Sequence, residues 1–202
     1  GYAMASECRR LALALGKSPE MISSGQGMTI FDICSGRGIG SALLCRLLPE
    51  ASVVMLDVHP NMDLSHVAAT KNLQFVNLDL FSEEAIVALR ELGSRAEAQG
   101  DICIALGMHL CGALSPRLLH LSAKLDCIAA CTVYPCCVHG WLGMHVRRTT
   151  RKSGPALYEA WLDTLHDLCV EMLGDHGEVS VQRDLVTTSS CNGFISAIKR
   201  AS

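Results

Sequence analysis

A chain of 202 residues, half of them hydrophobic, can bury one substantial core and is short for two. A formal charge of −3 excludes a global basic field of the kind that gathers nucleic acid, leaving only local patches for that role. No apolar run reaches the roughly 18 residues that a membrane helix needs, so no membrane partner is expected, and no signal peptide is read.

The eleven cysteines raise the question of a disulfide scaffold. Such scaffolds are small and poor in core. Here Cys34, Cys45, Cys103, Cys127 and Cys131 lie inside apolar runs, where a thiol behaves as a small hydrophobe. Reduced thiols point to a cytoplasmic or nuclear setting. The opening Gly1-Tyr2-Ala3 reads as a scar or an excision point in a longer protein.

Along the chain, residues 5–15 predict a helix that Ser6 can cap, and 16–27 a loop rich in Gly, Ser and Pro. A strand over 29–34 leads through Gly36, Gly38 and Gly40 into a helix over about 40–48. Val53 to Leu56 form a continuous apolar run ending at Asp57, as expected of a strand covered on both faces. A short helix is predicted over 61–71, a third strand over 73–80 and a helix over 82–99. A fourth strand follows over 101–107, then a helix over 114–124 and a fifth strand over 126–133. The polar stretch 143–154 reads as a mobile connection, and 155–173 as a long amphipathic helix. Strands over 178–183 and 193–199, joined by a Thr/Ser/Asn-rich loop, close the chain. Alternation of this kind predicts an α/β, Rossmann-like, open and mainly parallel seven-stranded sheet with helices on both faces and a C-terminal antiparallel strand pair. Residues 1–202 then form one domain, with 1–27 an N-terminal helix and loop and 28–202 the core.

A glycine turn between strand and helix is a cradle for a polar ligand, since it permits positive φ and faces the free N–H groups of the helix start. The spacing Gly36-Arg-Gly-Ile-Gly40 is not the G-x-G-x-x-G of dinucleotide folds, and no Gly-Lys-Ser/Thr of a P-loop follows. Asp32-Ile-Cys-Ser-Gly-Arg-Gly38 resembles the first motif of class I S-adenosylmethionine-dependent methyltransferases, D-x-G-x-G-x-G, with Cys34 standing for its first glycine. The resemblance implies a cofactor site formed by Asp32, Cys34, Ser35, Gly36 and Gly38 around the methionine part. It implies Asp57 at the ribose, Asp79 at the adenine with Leu80 along the ring edge, and Val58 among the cofactor contacts. A carboxylate at a strand end can accept both hydrogen bonds of a ribose diol.

Gly107-Met-His-Leu-Cys-Gly112 follows the fourth strand, and Tyr134-Pro-Cys-Cys137 the fifth. In open α/β sheets ligands lie beyond the carboxyl ends of the strands, so both segments are expected to wall one pocket. Together they resemble a branch of the methyltransferases with H-x-C-G and Cys-Cys motifs, which includes a tRNA 2′-O-ribose methyltransferase family and methyltransferase-like proteins. That branch implies cofactor contacts from Gly107 and His109, an acceptor wall of Cys111, Tyr134, Pro135, Cys136 and Cys137, and RNA, including tRNA, as acceptor. The longer Cys/His cluster of the tRNA enzymes is absent here.

Three readings of His109 stay open: general base, pocket contact and structural hydrogen bond. His109, Cys111, Cys136, Cys137 and His139 are also the residue types of a tetrahedral zinc site. Adjacent Cys-Cys is not the usual C-x₂₋₄-C spacing, so no metal is expected and the thiols read as pocket residues. Arg147 and Arg148 head the basic cluster 147–152, which can touch phosphates at the pocket mouth or lie solvated on the surface. Trp141 and Trp161 suggest a stacking platform unless the helix carrying Trp161 buries it. The function expected is methyl transfer from S-adenosylmethionine, by displacement at the sulfonium methyl. A cofactor- or partner-binding module without catalysis and a NAD-dependent oxidoreductase are the alternatives. The sequence lacks the Tyr-x-x-x-Lys pair expected of one oxidoreductase class.

Overall fold

A computed structural model describes residues 2–184 and 191–200 of the chain. Its strands are β1 (Met28–Ile33), β2 (Ser52–Asp57), β3 (Leu73–Asn77), β4 (Ile102–Met108), β5 (Ala130–Tyr134), β6 (Gly177–Arg183) and β7 (Gly193–Lys199). They form one seven-stranded sheet in the order β3-β2-β1-β4-β5-β7-β6. The first five run parallel, and β7 inserts antiparallel between β5 and β6. The sheet and its C-terminal antiparallel pair are those expected from the sequence.

The helices are α1 (Tyr2–Ala14), α2 (Pro19–Ser24), α3 (Ile39–Leu47), α4 (Ser65–Ala68), α5 (Glu83–Ala98), α6 (Leu114–Lys124), α7 (Gly140–Thr150) and α8 (Gly154–Leu173). Every residue of β1 is buried, and its side chains alternate between two apolar layers. Met28 and Ile30 pack with Leu11 of α1 and Leu44 of α3. Phe31 and Ile33 pack with Leu89 of α5, Leu118 of α6 and Trp161 of α8. A strand buried on both faces has no polar side, which is why the parallel strands read as continuous apolar runs.

The structure corrects several sequence expectations. The loop expected over 16–27 holds α2, capped by Ser18, with Pro19 in its first turn and Gly25 ending it at φ +86°. Ser-Pro-Glu is a helix-start signal, here hidden among Gly and Ser. The helix expected over 61–71 shrinks to α4. β3 stops at Asn77 and β5 starts only at Ala130, so both strands are shorter than their apolar runs. The stretch 143–154 is not a mobile connection: α7 occupies most of it, with Gly143 and Val146 buried and the arginines outward. A side chain at Gly143 would meet Val138, so glycine lets α7 lie close to the preceding loop. The Thr/Ser/Asn-rich loop before β7 falls largely on residues 185–190, outside the described residues.

The topology locates the ligand side. The chain runs outward from β1 to β3, then returns to place β4 on the other side of β1. At such a switch point the connections diverge and open a crevice at the carboxyl ends of the strands.

Candidate functional site

The turn leaving β1 is built from three left-handed residues, Cys34 (φ +55°), Gly36 (φ +55°) and Gly38 (φ +68°). For a residue with a Cβ this conformation costs about 1–2 kcal/mol. Cys34 therefore stands in strain at the position where the related motif has glycine. A side chain on Gly38 would run into Met55 of β2, whereas a Cβ on Gly36 would meet open space. Gly36 is thus the point where the backbone is bare to an incoming ligand. Gly40, expected in the turn, lies instead within α3, where its missing side chain makes room for Met4 of α1.

Two carboxylates hold this turn. Asp57, at the end of β2, accepts from Gly36 N (2.8 Å) and His59 N (3.0 Å), one bond on each oxygen. Each oxygen keeps a further lone pair. Asp32 is buried beneath the turn and accepts from Ser41 Oγ of α3, tying strand to helix. Burial pushes its pKa up to about 6, against the help of Ser41. The sign of the linkage follows: the native carboxyl keeps its proton to about pH 6, and the unfolded one loses it near 3.8. Stability from this group is full below the unfolded value, falls as pH rises through that window and then levels. The expected loss is on the order of 2–4 kcal/mol. Asp32→Asn should flatten that slope in urea denaturation series run from about pH 4 to 7, and a slope identical to the parent would assign the titration to another group.

Asp79 is exposed just beyond β3; its Oδ1 accepts from Phe81 N (2.9 Å). The three carboxylates converge on Cys34. Its thiol is pushed up to about 11 by burial first, and then by Asp57, Asp32 and Asp79. Around them the surface is apolar. Val58 and Phe81 are each more than half exposed, and Ile39, at the start of α3, is 71% exposed. Phe81 was not singled out from sequence. Arg117 of α6 sits over its ring and donates from Nε to Leu80 O (2.9 Å), fixing the segment after β3. Leu80 itself points into the core.

The next segment is held by β5. Leu110 N donates to Tyr134 O (3.2 Å), and Ser115 Oγ to Leu110 O (2.7 Å). Gly107 is buried in β4 with its Cβ direction filled by Leu110 and Leu118, so packing alone demands glycine there. His109 is exposed and left-handed (φ +56°), and its carbonyl accepts from the thiols of Cys111 (3.4 Å) and Cys136 (3.7 Å). Cys111, Cys136 and Cys137 bring their sulfurs within 4.8 Å of one another. Among the described residues they form the group of three that could hold a metal ion. Burial raises the pKa of both Cys136 and Cys137, and hydrogen bonding to Cys111 raises them further.

The residues expected in one acceptor wall divide between two hollows. Cys136, Cys137, His139 and Arg147 line one cleft, floored by Leu157 and Tyr158 of α8. Pro135 is buried behind it, its carbonyl accepting from Tyr158 Oη (2.7 Å). Arg148 is exposed on α7 without a place in that lining. Tyr134 turns the other way, stacked on Phe194 (ring centroids 4.4 Å apart), into a hollow shared with α1. Glu7 and Arg10 of α1 and Gln182 of β6 border it. The part of Glu7 and Arg10 was missed from sequence, where the only local signal is an acid–base pair at i, i+3. Trp161 is fully buried and Trp141 largely exposed, so they make no joint platform.

A family model described as a methyltransferase domain matches residues 5–142. No curated protein matches the chain. Solved structures resemble it in fold at low identity. The plantazolicin methyltransferase BpumL, in complex with a pentazolic desmethylPZN analog and SAH, is 11% identical over 98% of this chain and 84% of its own, with a TM-score of 0.58. The aminoglycoside resistance methyltransferase NpmB1 is 14% identical over 90% and 91%, TM-score 0.54. The fibrillarin pre-rRNA processing protein of Methanococcus jannaschii is 8% identical over 90% and 73%, TM-score 0.51.

Proposed function

The chain belongs to the methyltransferase-domain family, and from that premise we propose that it transfers a methyl group from S-adenosylmethionine to an RNA acceptor. The observation that carries the cofactor reading is the left-handed turn after β1, held by Asp57 at Gly36 N and by Asp32 through Ser41. The turn also fits a polar ligand. Ser35 Oγ is buried without a hydrogen-bond partner, Gly36 faces open space, and the first turn of α3 has no side-chain cap. An orphaned hydroxyl and free N–H groups are what a ligand's carboxylate and amine would satisfy. The SAH in the plantazolicin methyltransferase complex supports the same reading.

When bound, S-adenosylmethionine supplies an electrophilic methyl group on a sulfonium. Every other task falls to the chain. The backbone at Gly36 and Gly38 receives the methionine part, and Asp57 offers its spare lone pairs to the ribose diol. Asp79 would meet the adenine edge, and the exposed Val58 and Phe81 would offer it apolar surface. Holding nucleophile and methyl in line supplies much of the rate in such a reaction. His109 is exposed at the border of the two segments, where its imidazole can take the acceptor's proton. RNA as acceptor is supported by Arg147, which lines the cleft with Cys136 and Cys137, and by the neighbouring exposed Arg148 and Arg151. The fibrillarin pre-rRNA processing protein among the structural neighbours is in keeping with it.

Calorimetric titration tests the cofactor. S-adenosylhomocysteine is expected to bind and NAD not to; heat with NAD alone would overturn the reading. Transfer of labelled methyl to deproteinised cellular RNA, with protein as the parallel acceptor, tests the rest. Binding without transfer to either would make the chain a cofactor-binding module.

A further inference from the structure

Three thiols distant in sequence meet where the loop after β4 approaches the loop after β5. Cys111 Sγ lies 2.7 Å from Cys136 Sγ, and Cys136 Sγ 3.6 Å from Cys137 Sγ. All three are within 4.8 Å of one another. Neutral thiols are weak donors and weak acceptors, and nothing in their mutual hydrogen bonding accounts for sulfurs gathered this closely. A soft cation does. Three thiolates about 2.3 Å from a zinc ion stand about 3.8 Å apart in a tetrahedron. The Cys136–Cys137 pair is already near that spacing, and a turn of the partly exposed Cys111 side chain opens the other contact.

We propose that Cys111, Cys136 and Cys137 form a thiolate zinc site that clamps the segment after β4 to the segment after β5. The donor set selects the metal class, since sulfur ligands suit zinc and oxygen ligands suit magnesium or calcium. Each thiol gives its proton to solvent on binding, and three thiolates around Zn²⁺ carry one net negative charge. Arg147 lines the cleft that Cys136 and Cys137 border, so a positive group stands nearby. The cluster is partly exposed, so water can fill the fourth position. A disulfide between Cys111 and Cys136 is the rival reading of the short contact. It would use two sulfurs and give Cys137 no part, although Cys137 sits within reach of both. In the metal-free chain the His109 carbonyl accepts from two of the three thiols, and these are the bonds the thiols would give up on deprotonation. The adjacent Cys-Cys pair argued against a metal from spacing alone; the fold supplies the third ligand from 25 residues away. This inference stands apart from the methyl-transfer reading.

The full chain, purified with reductant and without chelator, is the material for the test. Elemental analysis should find one zinc per chain. After stripping, cobalt(II) should restore a thiolate-to-metal charge-transfer absorption. Cys111→Ser and Cys136→Ser should each lower zinc affinity by more than the roughly 10–100-fold that loss of an outer partner costs. Cys103→Ser, in the core of β4, should leave it unchanged. Circular dichroism of each variant separates loss of metal from loss of fold. A reduced, folded chain that takes up neither zinc nor cobalt would overturn the site. So would folded Cys111 and Cys136 variants that keep their zinc, or a Cys111–Cys136 disulfide whose reduction restores no metal binding.

Discussion

Replacing Asp57 by alanine is expected to weaken S-adenosylhomocysteine binding by about 5- to 150-fold, which is the 1–3 kcal/mol of buried polar partners left unpaired. The argument has two parts. In the site proposed above, the carboxylate is the group that takes the ribose hydroxyls. It is also the acceptor that fixes Gly36 N and His59 N, so its loss releases the turn as well as the ligand. Asp57→Asn should do little better, because its amide nitrogen would present hydrogens where one of these two backbone donors now points. Asp79→Ala is the useful comparison. Asp79 is exposed and binds only one backbone N–H, so its replacement should cost less. Isothermal titration of the three variants decides the order. Equal affinity of the Asp57 variants and the parent would remove Asp57 from the site.

The second large effect is expected far from the glycine turn. Glu7, on α1, is 4% exposed and is bonded on all sides. It accepts from Arg10 Nε (2.9 Å) and Nη2 (2.6 Å), from Ser196 Oγ of β7 (2.6 Å) and from Thr132 Oγ1 of β5 (3.0 Å). One carboxylate therefore holds the N-terminal helix to two strands of the sheet. Glu7→Ala should lower the unfolding free energy by about 3 kcal/mol, at the low end of what breaking a buried ion pair costs. Two features keep it at that end. Thr132 and Ser196 can bond each other at 3.0 Å, and Arg10 reaches solvent, so neither side is left bare. Glu7→Gln, which keeps one acceptor oxygen but loses the charge, should fall between. Urea midpoints measure all three, and a Glu7→Ala midpoint equal to the parent would show that α1 is held by its apolar face alone. Because Glu7 and Tyr134 line the same hollow, a loosened α1 should also disturb that side of the sheet.

The sheet was legible in the sequence because its signals are local. Runs such as residues 53–56 are apolar throughout, and a strand covered on both faces leaves no other pattern. The helices α5 and α6 were legible for the same reason: their apolar periodicity is internal to the segment. Elements whose formation depends on neighbours were read less well. α7 looks polar in isolation and becomes a helix by packing Gly143 and Val146 under the arginines. The site divides along the same line. Asp57 and Asp79 could be named because a strand end is a position in the chain, and Cys34 could be named as the departure from a glycine motif.

By itself, then, the sequence determined the order of the strands and of the helices between the parallel ones, and the mainly parallel sheet, because each is encoded within a few neighbouring residues. Only the tertiary structure decided which side chains share a hollow. It parted Tyr134 from Cys136 although only Pro135 separates them: side chains two apart in a strand share a face, but β5 ends at Tyr134 and the chain beyond it leaves that alternation. It joined Glu7 to Ser196 across 189 residues and Cys111 to Cys136 across 25. It also set Cys34 in the left-handed conformation, which turns a mismatch in a motif into a measurable strain. Contacts of that kind depend on how helices and sheet close on one another, and that closure has no local signature in the chain.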